Sequence, residues 1–181
     1  MKFANIFLIA LLSIVCSGQT YRVAEPNAPS KITVAPKEEP GERLIVSGKV
    51  CGPDGKSRLK GVSVYVYHTD INGYYSENTT NNSNPRLRGW MRTDAAGRYE
   101  FNTIKPGPYP DARVPAHIHY VVSAPGYKER VFEIVFEGDP FISERMKSDA
   151  ENEYSMFSIR PAKRGDDGVL RCVQDIKLQR Q

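Results

Sequence analysis

The stretch GVSVYVYH (61–68) is β-branched and aromatic along its length. Val62, Val64 and Val66 stand two residues apart, so they share one face of an extended chain. The same reading extends outward to RLIVSGKVC (43–51), RYEFNTI (98–104), HIHYVVSA (117–124), RVFEIVF (130–136), YSMFSIR (154–160) and VLRCVQDIKL (169–178). Turn signals separate these runs: Gly52-Pro53-Asp54-Gly55, Asp70 to Gly73, and Asp94-Ala95-Ala96-Gly97. The polar tract SENTTNNSNPRLRG (76–89) reads as a loop, and residues 139–153 have room for one short helical turn. Seven strands at this spacing, with no long helix, predict an all-β protein. The expected form is a two-sheet β-sandwich of about seven to nine strands with long loops at one rim.

The 181 residues carry 25 Lys+Arg and 21 Asp+Glu, a net charge of +4, with 40% hydrophobic residues. That balance excludes a disordered or collagen-like chain, and the scattered basic residues leave no nucleic-acid footprint. Met1-Lys2 followed by the apolar run FANIFLIALLSIV (3–15) reads as a signal peptide over 1–18, cleaved after Gly18. The run is too short to span a membrane, so no transmembrane segment is expected. A lipoprotein acylated at Cys16 is the rival reading, and either route exports the protein, to periplasm or medium. Residues 19–42 hold four prolines without apolar periodicity and read as a linker or extended arm. The domain is then 43–181. Cys51 and Cys172 form an even pair in an exported chain, hence a candidate disulfide. Two buried thiols are the alternative.

Three segments carry chemistry. In Pro115-Ala116-His117-Ile118-His119-Tyr120, strand alternation sends His117 and His119 to the same face, half of a metal site on one rigid element. In Thr103-Ile104-Lys105-Pro106-Gly107-Pro108-Tyr109-Pro110, flanking prolines stiffen the loop that carries Tyr109. In Val66 to Ser76 (VYHTDINGYYS), a strand end and a turn deliver Tyr74 and Tyr75 to a rim. Each signal has a plainer reading as surface or packing residues.

Taken in this order, the three segments resemble the intradiol ring-cleavage dioxygenases, which hold a non-haem Fe(III) with two Tyr and two His. The similarity runs from about residue 43 to 139, including Phe136-Glu137-Gly138-Asp139. It implies Tyr75, Tyr109, His117 and His119 as metal ligands, with Tyr75 preferred to Tyr74 as the third residue of Gly73-Tyr74-Tyr75. His68 matches no ligand position and is expected to hydrogen-bond within the sheet or behind the site. The resemblance further implies an Fe(III) cofactor, with a catechol-type diol and O2 as partners. Both oxygen atoms would enter between the hydroxylated carbons to give a muconate-type diacid. Tyr109, as a dissociating ligand that accepts a proton, and Arg113 are the candidate catalytic residues. Phenolates are hard anionic donors that favour Fe(III), and imidazole suits iron as well.

The match departs at several points, among them a shorter Tyr109–His117 loop and two single positions. Relatives often carry an Arg directly before Pro-Ala-His, where this chain has Val114 with Arg113 one residue off. A Gln common on the following strand aligns with Glu133. The segment 92–107 also resembles transthyretin-like and carboxypeptidase-regulatory sandwiches, so a metal-free binding module of the cell envelope is the alternative. Such modules do not require the Tyr/His quartet. An oligomer is left open.

Overall fold

The computed structural model describes residues 22–181, so the expected signal peptide and Cys16 lie outside the described residues. Among the described residues the chain forms eleven strands and one short helix: β1 (Lys31–Thr33), β2 (Arg43–Cys51), β3 (Ser63–His68), β4 (Leu87–Arg92), β5 (Arg98–Ile104), β6 (His117–Ser123), β7 (Arg130–Phe136), α1 (Glu144–Asp149), β8 (Phe157–Arg160), β9 (Lys163–Arg164), β10 (Leu170–Val173) and β11 (Ile176–Lys177). No helix among them is long and apolar enough to cross a membrane.

The strands pack as two sheets, ordered β1-β5-β2-β10-β9 (with β11 also pairing β2) and β4-β3-β6-β7-β8. This is the expected β-sandwich. The added strands are short ones and β4, whose sequence LRGWMR straddles the end of the tract read as a polar loop. Arg88, Gly89 and Arg92 hide its strand character, yet Leu87, Gly89 and Met91 alternate inward. The single turn of helix falls within 139–153 and starts at Ser143, whose hydroxyl accepts from the Met146 N–H.

Residues 22–42 run as an arm against the sandwich. Lys31–Thr33 pairs in parallel with Glu100–Asn102 of β5. Further back, the Ala24 N–H donates to Ser63 Oγ (2.8 Å), and Arg92 donates to the Ala24, Glu25 and Gly61 carbonyls.

Even-numbered residues of β3 and β6 (Val64, Val66, Ile118, Tyr120, Val122) meet Val46, Phe101, Phe132 and Ile134 between the sheets. Burying this apolar surface drives the fold. Odd-numbered residues point the other way. They put Tyr65, Tyr67, His117 and His119 on the outer face, where Tyr65, Tyr67, Tyr75 and Val121 form a second cluster with Trp90 and Tyr109 packed on it. Strand β3 is therefore buried on both faces.

The expected Cys51–Cys172 disulfide is corrected by the sheet register. Cys172 lies opposite Val46, five positions before Cys51, while Cys51 lies opposite Lys177. Five residues of strand span roughly 16 Å, whereas a bridge needs Cα atoms within about 7 Å. Both cysteines are free and buried.

His68 is fully buried at the end of β3, with Nδ1 2.7 Å from the Thr69 carbonyl and Nε2 2.6 Å from Thr103 Oγ1. That is the structural role expected of it. Burial holds its pKa at about 4, although the Thr69 carbonyl favours the charged form. The unfolded chain titrates near 6.5, so between these values it takes up a proton that the folded state refuses. Stability should therefore fall as pH drops from about 6.5 to 4, on the order of 3 kcal/mol. Urea unfolding of His68→Gln across that range should show a shallower slope. An unchanged slope would remove His68 as the cause.

Candidate metal centre

The two tyrosine segments are held together by their backbones. After β3 the chain turns at Asp70, whose Oδ1 accepts from the N–H groups of Asn72 (2.9 Å) and Tyr74 (3.0 Å). The Gly107 N–H donates to the Asp70 carbonyl (2.9 Å), and Thr69 Oγ1 donates to the Gly107 carbonyl (2.8 Å). The turn 69–74 and the loop 105–116 are thus stitched face to face. Two glycines permit the approach. A Cβ on Gly107 would sit 2.2 Å from the Ile71 carbonyl oxygen, and one on Gly73, at φ +85°, would sit 2.0 Å from that of Pro108. Tyr75 is fixed further by its N–H to the Thr79 carbonyl (2.9 Å) and by Arg86 N–H to its own carbonyl (2.7 Å).

The result is a convergence of four side chains. Tyr75 Oη lies 2.6 Å from Tyr109 Oη and 2.6 Å from His119 Nε2. Tyr109 Oη lies 3.3 Å from His117 Nε2, and the two histidine Nε2 atoms are 3.1 Å apart. These are the four residues singled out in the sequence, and Tyr75 rather than Tyr74 is the tyrosine turned into the cluster. Arg113 is exposed on the loop 105–116, and no hydrogen bond, ion pair or ring contact joins it to the quartet.

The tautomers follow from the partners behind the rings. His117 Nδ1 is 2.8 Å from the Pro115 carbonyl, which only accepts, so Nδ1 carries the proton and Nε2 presents a lone pair. His119 Nδ1 is 3.1 Å from Glu133 Oε1. Burial resists ionisation of Glu133, but the hydrogen bond from His119, with the electrostatic pull of the two imidazoles, prevails and holds the carboxyl below its usual range. Nδ1 of His119 therefore donates as well. Two imidazole lone pairs face each other across 3.1 Å, beside two phenol oxygens. Two phenol protons cannot bridge all four of these short contacts. A cation at their focus does, and the donor set of two oxygens and two nitrogens suits a ferric ion.

The surroundings favour the neutral forms of His117 and of the two phenols. Burial lowers the His117 pKa, and the neighbouring His119 adds to the effect. Burial also lifts Tyr75 far above the usual phenol range, reinforced by the hydrogen bond with Tyr109. It lifts Tyr109 too, against the opposing effect of that bond. Tyr67 stacks on His119 at 4.3 Å and 12° and is itself pushed up to about 12 by burial, with Arg22 opposing.

Sequence reading did not single out Tyr67. Its signal is register: Tyr67 pairs with His119, and His119 pairs with Glu133, in one row across three strands. His117, His119 and Glu133 also form a second grouping of metal-capable side chains. In it the carboxylate sits behind His119, on the nitrogen opposite the tyrosines. Arg88 and Arg92, the cations of β4, are spent on structure. Arg88 donates to the Pro85 carbonyl and lies over Trp90, and Arg92 clamps the arm.

The fold and this site define the class. A family model described as Dioxygenase matches residues 17–176. The chain is 32% identical over 141 residues to catechol 1,2-dioxygenase 2 of Acinetobacter lwoffii, covering 69% of this chain and 51% of that protein. It is 34% identical over 125 residues to the protocatechuate 3,4-dioxygenase beta chain of Burkholderia cepacia, covering 63% of this chain and 53% of that one. Among solved structures it resembles the dioxygenase domain of a dioxygenase carbohydrate-binding protein fusion from Streptomyces sp. SirexAA-E. There the TM-score is 0.64 at 25% identity, over 88% of this chain and 94% of that one. The chain belongs to the intradiol ring-cleavage dioxygenase family. It spans about half the length of these two curated relatives.

The loop apposition is testable. Gly107→Ala and Gly73→Ala should each destabilise the protein by about 1–3 kcal/mol and weaken metal uptake, because either Cβ pushes the turn and loop apart. Urea midpoints and metal-binding titrations read both effects. Wild-type behaviour in both variants would show that the two backbones need not touch.

Proposed function

We propose that this protein is an exported Fe(III)-dependent dioxygenase that cleaves a catechol-type diol between its hydroxylated carbons, inserting both atoms of O2 to give a muconate-type diacid. The single observation that supports it most is the meeting of Tyr75 Oη, Tyr109 Oη and the two histidine Nε2 atoms within 3.3 Å of their neighbours. Tyr75, Tyr109, His117 and His119 would hold the ion. Bound there, a ferric ion would supply Lewis acidity toward the diol and make its ring reactive toward O2. Export is proposed from the leader-like residues 1–18.

The chain's own groups divide the remaining work. Tyr75 is 1% exposed, anchored on both sides of its backbone, and serves as the fixed phenolate. Tyr109 is carried on a loop and is more open, so its Oη is the atom suited to accept a diol proton. Tyr67 covers one face of the His119 ring and keeps water from it. Catechol-type substrates are the assignment drawn from the named relatives, which include catechol and 6-chlorohydroxyquinol dioxygenases.

Iron-loaded protein should show a visible phenolate-to-Fe(III) charge-transfer band that weakens in Tyr75→Phe, and O2 uptake with catechol that His119→Ala abolishes. Colourless iron-loaded protein without O2 uptake would leave a non-catalytic sandwich module as the reading.

Because both phenols keep their protons in the metal-free protein, loading must release them. Ferric citrate titration followed by pH-stat should release about one proton fewer per iron from Tyr75→Phe than from wild type. Equal release would mean that Tyr75 does not ligate as phenolate.

A further inference from the structure

The far side of His119 is occupied by an acid whose arrangement is as constrained as that of the tyrosines. Glu133 stands directly opposite His119 in the antiparallel pairing of β6 and β7. Its own N–H is tied to the Met156 carbonyl at 2.8 Å, and its side chain is only 22% exposed. Among the described residues its one ion-pair partner is His119, at 3.1 Å, with no lysine or arginine paired to it. The next acid, Asp139, accepts the Ala116 N–H at 2.9 Å, just before the histidine strand. The two histidines are thus held differently: His117 by a neutral carbonyl and His119 by a carboxylate.

We propose that Glu133 is a positioning residue that accepts the Nδ1–H of His119, turns its Nε2 toward Tyr75, and places a fixed negative charge behind that ligand. It rests on the ferric reading above for its effect on the metal, but not for its effect on the ring. A carboxylate behind an imidazole raises the donor strength of the opposite nitrogen. With two phenolates already at the centre, the added charge makes the ferric state harder to reduce and less electrophilic. Glu133 is not a ligand on this account, since direct coordination would require His119 to offer Nδ1 instead of the nitrogen that meets Tyr75.

Glu133→Gln keeps an acceptor without the charge, and Glu133→Ala removes both. In metal-free, 15N-histidine-labelled protein, NMR should find His119 protonated at Nδ1 in wild type and Glu133→Gln, and redistributed toward Nε2 in Glu133→Ala. Wild-type His119 protonated at Nε2 would overturn the proposal. In iron-loaded protein, Glu133→Ala should lose roughly 10–100-fold in iron affinity. Glu133→Gln should lose under about tenfold, with its charge-transfer band at longer wavelength and its Fe(III)/Fe(II) potential raised. An unmoved band and potential in Glu133→Gln would overturn the charge role. Loss of iron from Glu133→Gln as complete as from His119→Ala would make Glu133 a ligand and overturn the assignment. If the wild type takes up no coloured iron, the ferric reading fails alone, and the tautomer measurement still decides the positioning role. If Glu133→Ala does not fold, the wild-type tautomer and the Glu133→Gln spectrum decide it.

Discussion

The site depends on one constraint: the turn after β3 and the loop before β6 must lie backbone to backbone. Two hydrogen bonds, Gly107 N–H to Asp70 and Thr69 hydroxyl to Gly107, set that contact, and the absence of side chains on Gly73 and Gly107 allows it. Neither bond is strong alone, each worth about 1 kcal/mol net. Their importance is positional, because they bring the oxygens of Tyr75 and Tyr109, 34 residues apart in sequence, to 2.6 Å. The histidines need no such help. They ride on an interior strand whose register with β3 and β7 is set by core packing, so their positions are as rigid as the sandwich.

Electrostatics then define what the cluster wants. Each imidazole is protonated away from the centre, one against a carbonyl and one against a carboxylate. What remains at the focus is lone pairs and buried phenols. Burial alone disfavours phenolate, so the metal-free protein holds neutral phenols close together with too few protons to bridge every short contact. A trivalent ion held there would reverse that balance. The same reasoning explains why the neighbourhood is aromatic: Tyr67, Tyr65 and Trp90 exclude water from the flank of the site without competing as charges.

Much of the fold could be read from alternation. β2, β5, β6 and β7 carry apolar residues at every second position, and their turns are rich in Gly, Pro and Asp. What escaped was β4, where Arg and Gly mask the period, and the arm strand β1, which pairs only because β5 offers a free edge. The expected disulfide failed for a related reason. Cysteine parity carries no information about register, and register sets Cys172 of β10 against Val46, far along β2 from Cys51.

By itself the sequence determined the sandwich class, the shared face of His117 and His119, and the family, because these follow from local period and from motifs that survive without three-dimensional knowledge. Tertiary structure alone decided that Tyr75 meets Tyr109, that Tyr67 covers His119, and that Glu133 stands behind it. It also left Arg113 out of contact with the cluster. Such facts depend on which strands become neighbours and at what offset, and a chain's local preferences do not encode the distance between residues that only packing brings together.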